Sequence, residues 1–156
     1  MKRIFLIVLL LALFAFSKGQ SVLIEAESFA VKGGWVVDPQ FVEQMGSPYL
    51  LAHGMGVPVK DAETKIAVKT AGKYHIWVRT KNWAPGNWDA PGRFVVLIDG
   101  KKPEKELGKN TGWNWEYAGN INLKSGESKL TLHDLTGFEG RCDAIYLTTA
   151  ENEKLP

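Results

Sequence analysis

Two glutamates one residue apart, Glu25 and Glu27, and a late aspartate, Asp143, are the side chains whose types most directly suggest chemistry. Residues 22–27 alternate apolar and polar, the period of a strand, so Ile24 and Ala26 face one way while Glu25 and Glu27 face the other. Asp143 stands just before a final apolar run, and in a jelly roll, where first and last strands are often neighbours, it joins the glutamates. Three carboxylates with nearby backbone carbonyls make a hard-oxygen set suited to Ca²⁺. The same residues also read as solvated charges on an edge strand, where charge discourages aggregation. Residue types alone favour that second reading.

Aromatic residues offer a different chemistry. The chain has 6 tryptophans. Trp83 and Trp88 lie in a Pro/Gly-rich stretch, residues 81–92, while Trp113 and Trp115 follow Asn110, Thr111 and Gly112. Rings at loop tips present flat apolar faces to the C–H faces of a sugar, and Asn82, Asn87, Asp89 and Arg93 are close enough in sequence to bond its hydroxyls. The alternative for these rings is packing, over the core or against a neighbouring domain. Packing is the reading for Trp77, which falls in mid-strand; for Trp83 and Trp88 both roles stay open.

Catalysis finds less support. His133 and Asp134 are chain neighbours, and neighbours on a strand point apart, so they do not begin a triad. His133 is expected to fix the 137–140 loop through hydrogen bonds. Cys142, the single cysteine, reads as a small core residue, with no sign of an activated thiolate. No His/Cys spacing fits zinc. Asp38, Asp89 and Glu116 could supply a carboxylate pair for glycoside hydrolysis, but nothing sets any two at a working separation. No catalytic residue is assigned.

These groups are carried by a chain that reads as exported. Lys2 and Arg3 precede an unbroken apolar run of 13 residues, 4–16, and small residues follow at Ser17 and Gly19. The run is shorter than the roughly 20 residues needed to span a bilayer, so residues 1–19 are expected to be a cleaved signal peptide, with release to the periplasm or the extracellular space. Loss of Lys2, Arg3 and Lys18 leaves 16 Lys and Arg against 17 Asp and Glu. That near-neutral balance gives no support for a nucleic-acid partner, and none for a membrane partner once the leader is gone. One cysteine excludes an intrachain disulfide framework.

The remainder reads as strands and turns. Residues 22–27, 65–69, 73–80, 93–98, 101–107, 113–117, 121–123, 128–133 and 144–148 are the expected strands. In 73–80, Tyr74, Ile76 and Val78 share one face while His75, Trp77 and Arg79 share the other. Asp99-Gly100 is a hairpin turn signal. Short strands, Gly-rich turns and no amphipathic helix predict an all-β, antiparallel β-sandwich of jelly-roll type over 20–149, followed by a polar tail or linker start at 150–156. Residues 33–61 and 81–92 fit no strand and are expected to be long loops that bind something or cover a sheet.

The stretch Ile24-Glu25-Ala26-Glu27-Ser28-Phe29 resembles the opening of carbohydrate-binding modules of families 6 and 35. Residues 72–78, 94–100, 130–132 and 143–145 follow the order seen in that family. The resemblance implies a galactose-binding-like β-sandwich, and it implies that Glu25, Glu27 and Asp143 bind a structural calcium. It also implies a carbohydrate partner, for which Trp83, Trp88, Asn87, Asp89, Arg93, Trp113 and Trp115 are, by residue type, the expected contacts. A closer resemblance, carried by residues 33–38, 44–54 and 133–143, is to the N-terminal module of secreted bacterial FAD-dependent oxidoreductases. In those proteins a large flavoprotein region follows the module, so the chain is alternatively expected to be an accessory or docking domain truncated from such an enzyme. No Gly-x-Gly-x-x-Gly follows a strand here, so no flavin site is expected in this chain. A small independent hydrolase is the third reading.

Overall fold

The computed structural model describes residues 19–151 and 154–156; the expected leader, Gly19 apart, lies outside the described residues. The strands are β1 (Ser21–Glu25), β2 (Val36–Asp38), β3 (Tyr49–His53), β4 (Ala62–Val68), β5 (Gly72–Thr80), β6 (Phe94–Ile98), β7 (Asn114–Leu123), β8 (Gly126–Asp134) and β9 (Phe138–Thr148), with a 3-10 turn at Ala26–Ser28 and one short helix, α1 (Val42–Met45). All the strand pairs are antiparallel. The larger sheet runs β2-β3-β9-β5-β7 with β1 also paired to β9, and the smaller runs β4-β8-β6. The expected β-sandwich is the observed one.

Strand β9 organises the larger sheet. Its first half pairs with β3, from His53↔Phe138 to Leu50↔Cys142, and its second half pairs with β1, from Glu25↔Ala144 to Ser21↔Thr148. Strand β5 lies along its other side, from Thr80↔Cys142 to His75↔Thr148. The first and last strands are therefore neighbours, as expected. Between the sheets Leu50, Tyr74, Ile76, Val78, Phe94, Val96, Ile98, Leu130, Leu132, Ile145 and Leu147 are fully buried. Each such side chain contributes about 1.5–3 kcal/mol of burial, and truncating one, Ile145→Ala for example, costs about 2–5 kcal/mol. The two faces of β5 divide as its alternation predicts. Tyr74, Ile76 and Val78 enter the core, and Trp77 lies on the outer face with its ring 4.9 Å from that of Tyr117.

Several expectations are corrected. Residues 33–61 contain β2, α1 and β3, not a continuous loop. Strand β3 escapes a period-2 reading because Tyr49, Leu50, Leu51 and Ala52 are buried on both faces. Residues 101–107 form no strand; only Lys101 and Leu107 make isolated bridges, and Pro103 between them has no N–H to give a ladder. The segments 113–117 and 121–123 are one strand, β7, interrupted by a register shift opposite Ile76/Trp77. Gly119 sits there at φ +126, with a hypothetical Cβ only 2.7 Å from the Glu104 amide nitrogen. Strand β9 starts six residues earlier than the expected 144.

Candidate functional site

The early start of β9 builds one end of the sandwich. Phe138 to Arg141 bring the β8–β9 turn beside the 53–58 turn and the 81–92 loop. Gly54 N–H donates to the Gly137 carbonyl at 2.8 Å, and Asn82 N–H donates to the Asn110 carbonyl at 2.8 Å. At the centre lies Arg141, a fully buried guanidinium. Its Nη1 donates to the Trp83 carbonyl and, at 2.9 Å, to the Glu139 carbonyl; its Nη2 donates to Glu139 Oε2 at 2.9 Å. The guanidinium carbon stands 5.0 Å from the Trp83 ring. Glu139 Oε1 meets His53 Nδ1. Glu139 holds φ +67, left-handed backbone that costs a non-glycine residue of order 1–3 kcal/mol, and the ionic bonds to Arg141 over-determine it.

Arg141 thus fixes from below a loop that has no ladder of its own. Above it Trp83 is 39% exposed and Trp88 is 58% exposed. Trp88 Nε1 donates to the Pro85 carbonyl at 2.7 Å, and its ring lies 5.1 Å from Phe138. A groove of about 400 Å³ opens between Asn82, Trp83, Pro85, Trp88, Pro91 and Thr111, and no charged side chain lines it. Asn82 Oδ1 is buried without a hydrogen-bond partner. The arrangement can receive an uncharged molecule with flat apolar faces and hydroxyl groups.

The other sequence-predicted ligand residues are dispersed. Asn87 and Asp89 are exposed on either side of Trp88 in the chain but do not line the groove. Arg93 turns to Glu106, with Nη1 3.6 Å from Oε2. Trp113 packs inward, 5.0 Å from Tyr49 and 5.9 Å from Phe41, and its buried Nε1 has no hydrogen-bond partner. Lys81 Nζ lies 3.9 Å over Phe41 in the same cluster, and burial lowers its pKa. Burial also pushes the Tyr49 hydroxyl up to about 12. Trp115 belongs to the outer face of the larger sheet. Its ring is 6.3 Å from Tyr146, and its Nε1 donates to the Pro156 carbonyl at 3.2 Å.

The acidic set sits elsewhere, where β1 leaves β9. Glu25 ends β1 opposite Ala144, so Asp143 is adjacent. Glu27 is in the 3-10 turn, not on the strand, so the shared strand face expected for the two glutamates is corrected: the turn, not the pleat, brings Glu27 round. Asp143 is 1% exposed; its Oδ1 accepts from Ser47 Oγ at 3.3 Å, and its Oδ2 lies 3.5 Å from Arg79 Nη1. Burial pushes its carboxyl up to about 6; Glu25 and Glu27 push the same way, and Arg79 opposes them. Burial raises Glu27 too, and its Oε2 is buried without a hydrogen-bond partner. Among the described residues no three His, Cys, Asp or Glu side chains are gathered as a ready-made metal site. The orphaned Glu27 oxygen and the raised carboxyls of Glu27 and Asp143 would nevertheless fit a hard cation, whose charge would relieve both.

Asp134, His133, Cys142 and Glu116 are engaged in the structure, while Asp89 is exposed in the 81–92 loop. Asp134, not His133, ties the β8–β9 turn, accepting from Thr136 N at 3.1 Å and Val59 N at 2.9 Å. This corrects the role expected of His133, which instead pairs with Asp61 at 2.8 Å. Cys142 is fully buried in the core, and burial raises its thiol well above the ordinary range. Glu116 accepts from the backbone N–H groups of Gly108 at 3.0 Å and Asn110 at 2.9 Å, so its carboxylate is occupied. Sequence reasoning missed Glu139, Arg141 and Phe138 as parts of the loop end. The signal available for them was a charged residue inside an apolar final run, which has to be paired if buried.

The fold has well-matched counterparts among solved structures. The chain is similar to a family 35 carbohydrate binding module from Clostridium thermocellum, with 19% identity, a TM-score of 0.64, and coverage of 82% of this chain and 97% of that one. It is similar to the C-terminal CBM6 of LamC, a marine laminarinase from Zobellia galactanivorans, with 19% identity, a TM-score of 0.62, and coverage of 83% and 100%. It is also similar to the Podospora anserina GH26-CBM35 beta-(1,4)-mannanase, with 20% identity and a TM-score of 0.64, where 85% of this chain spans only 28% of that chain. At these identities what is shared is the fold. No protein-family profile and no curated protein sequence matches the chain.

Proposed function

We propose that this chain is a non-catalytic carbohydrate-binding module of an exported protein, with Trp83 and Trp88 as its glycan-contacting face. The observation that carries this reading is the uncharged groove between two exposed tryptophans, held rigid from beneath by the buried Arg141. The full-length counterparts in the same fold are carbohydrate-binding modules. A hydrolase reading is disfavoured because Asp143, the carboxyl pushed to about 6, is 1% exposed and out of reach of a glycosidic oxygen. Glu25, Glu27 and Asp143 would hold a structural calcium, which would supply positive charge to the half-buried Glu27 and the buried Asp143 and take no part in chemistry. The test is a glycan panel probed with the purified domain, with and without chelator. Specific binding that Trp83→Ala and Trp88→Ala abolish supports the reading; binding unchanged in both variants overturns the assignment of this face.

A second reading is that the domain docks within a larger secreted oxidoreductase. It is favoured by the aromatic band of Trp77, Trp115, Tyr117 and Tyr146 on the outer face of the larger sheet, against which Pro156 already rests. A blank glycan panel with a well-folded domain, and mutual protection of this band in the intact enzyme, would favour it.

A further inference from the structure

Beside the Trp83 groove lies a second depression of about 330 Å³, lined by His53, Met55, Gly137, Phe138 and Glu139, and Pro85 belongs to the walls of both. Trp88 stands at the junction, bonded to the Pro85 carbonyl on one side and 5.1 Å from the Phe138 ring on the other. We propose that the two depressions are consecutive subsites, and that the ligand is a neutral oligosaccharide of at least two units lying across Trp88 and Pro85. This rests on the reading of the Trp83 groove as a glycan site.

Three features carry it. Each depression falls towards the lower end of the ~300–1,000 Å³ typical of small-molecule sites, so each has room for a ring unit, and the shared Pro85 wall makes the two continuous. Both combine a flat apolar surface with polar side chains: Asn82 and Thr111 line the first, and the His53 ring, 57% exposed, faces the second. The spacing between them is rigid because one guanidinium serves both. Arg141 Nη1 holds the Trp83 carbonyl under the first subsite, and Nη2 holds Glu139 in the wall of the second. Gly137, at φ +65 with a hypothetical Cβ 2.0 Å from the Val57 carbonyl oxygen, packs the 53–58 turn against the same wall.

Charge then selects the ligand. No charged side chain lines the first subsite, and the second holds the Glu139 carboxylate, whose Arg141 partner is 0% exposed with both terminal nitrogens already bonded to protein. A uronic acid placed there meets a carboxylate and no free arginine, whereas hydroxyl groups meet acceptors and a histidine ring.

The test is a chain-length series measured by titration calorimetry. Oligosaccharides of one to four units from the neutral β-mannan, β-glucan and xylan series serve as probes, with oligogalacturonates as acidic counterparts. The expected result is affinity rising at least tenfold from one unit to two or three in one neutral series. Phe138→Ala lowers the gain with length more than it lowers single-unit affinity, while Trp83→Ala removes binding at every length. His53→Gln, at an exposed position, gives a second reading of the same subsite should Phe138→Ala unfold. Equal affinity for one and several units, a length gain intact in both variants, or preference for the oligogalacturonates overturns the inference while leaving the glycan site standing. Absence of binding to every probe overturns the site and the inference together.

Discussion

The loop end and the acidic corner of this sandwich use buried charge in opposite ways. At the loop end the charge is paired: Arg141 is fully buried, bonded to Glu139 and to the Trp83 carbonyl, and its work appears at the surface as two exposed tryptophans in an uncharged groove. At the acidic corner the charge is unbalanced. Glu27 and Asp143 are raised by burial, an oxygen of Glu27 has no partner, and Arg79 is 3.5 Å from Asp143. A site for a foreign molecule shows as apolar surface held still from beneath, and a site for a structural ion shows as buried charge left uncompensated. On the proposed reading, the first would need a rigid scaffold before its ligand arrives, and the second would become rigid when its ion arrives.

The comparison can be broken most forcefully at Arg141. Arg141→Ala leaves Glu139 without its buried cation and is expected to cost about 3–5 kcal/mol, read by urea denaturation, together with loss of glycan binding. A variant of parental stability would show that the loop is held by something else. At the acidic corner, if calcium binds as proposed, the parent should gain about 2.7 kcal/mol at a hundredfold excess over the dissociation constant, and Glu27→Ala or Asp143→Ala should abolish that gain. Equal melting shifts with calcium in variant and parent would remove the ion site.

The corner also predicts a pH dependence in chelator. The Asp143 carboxyl is raised to about 6 in the folded chain, so its neutral form is the favoured one. Its contribution is complete at pH values below the ordinary carboxyl range and is lost as pH rises through about 6, by roughly 1–3 kcal/mol. Asp143→Asn should flatten that decline, and an unchanged profile in the variant would contradict the assignment. Smaller effects separate the two tryptophan environments. Trp88→Ala should weaken glycan binding by about 2 kcal/mol with a stability change within about 1 kcal/mol; a large stability loss would make Trp88 a core residue. Trp115→Ala, on the outer face, should leave glycan affinity within about threefold, a change of less than ~1 kcal/mol.

How much of this was readable from residues follows their physics. The faces of β5 and the neighbouring of β1 and β9 were legible because alternation and an apolar final run are local patterns. Strand β3 was not, because Tyr49 to Ala52 are buried on both faces and a strand covered on both sides carries no alternation. Trp83 and Trp88 were singled out from a Pro/Gly-rich loop, and they do lie together. Trp113 and Trp115 were grouped with them because they are close in the chain, yet at i and i+2 one packs under Phe41 and the other joins the sheet's outer face. Arg141 was opaque for a different reason: its partners are 2 and 58 residues away, one of them a backbone carbonyl that no residue type announces.

The most direct measurement is a glycan titration of the 15N-labelled domain, following the tryptophan indole N–H resonances assigned by single substitutions. The account predicts that the signals of Trp83 and Trp88 move with ligand while those of Trp35, Trp77, Trp113 and Trp115 stay in place. Movement of the Trp77 and Trp115 signals with Trp83 and Trp88 fixed would put the ligand on the outer face of the larger sheet and contradict it.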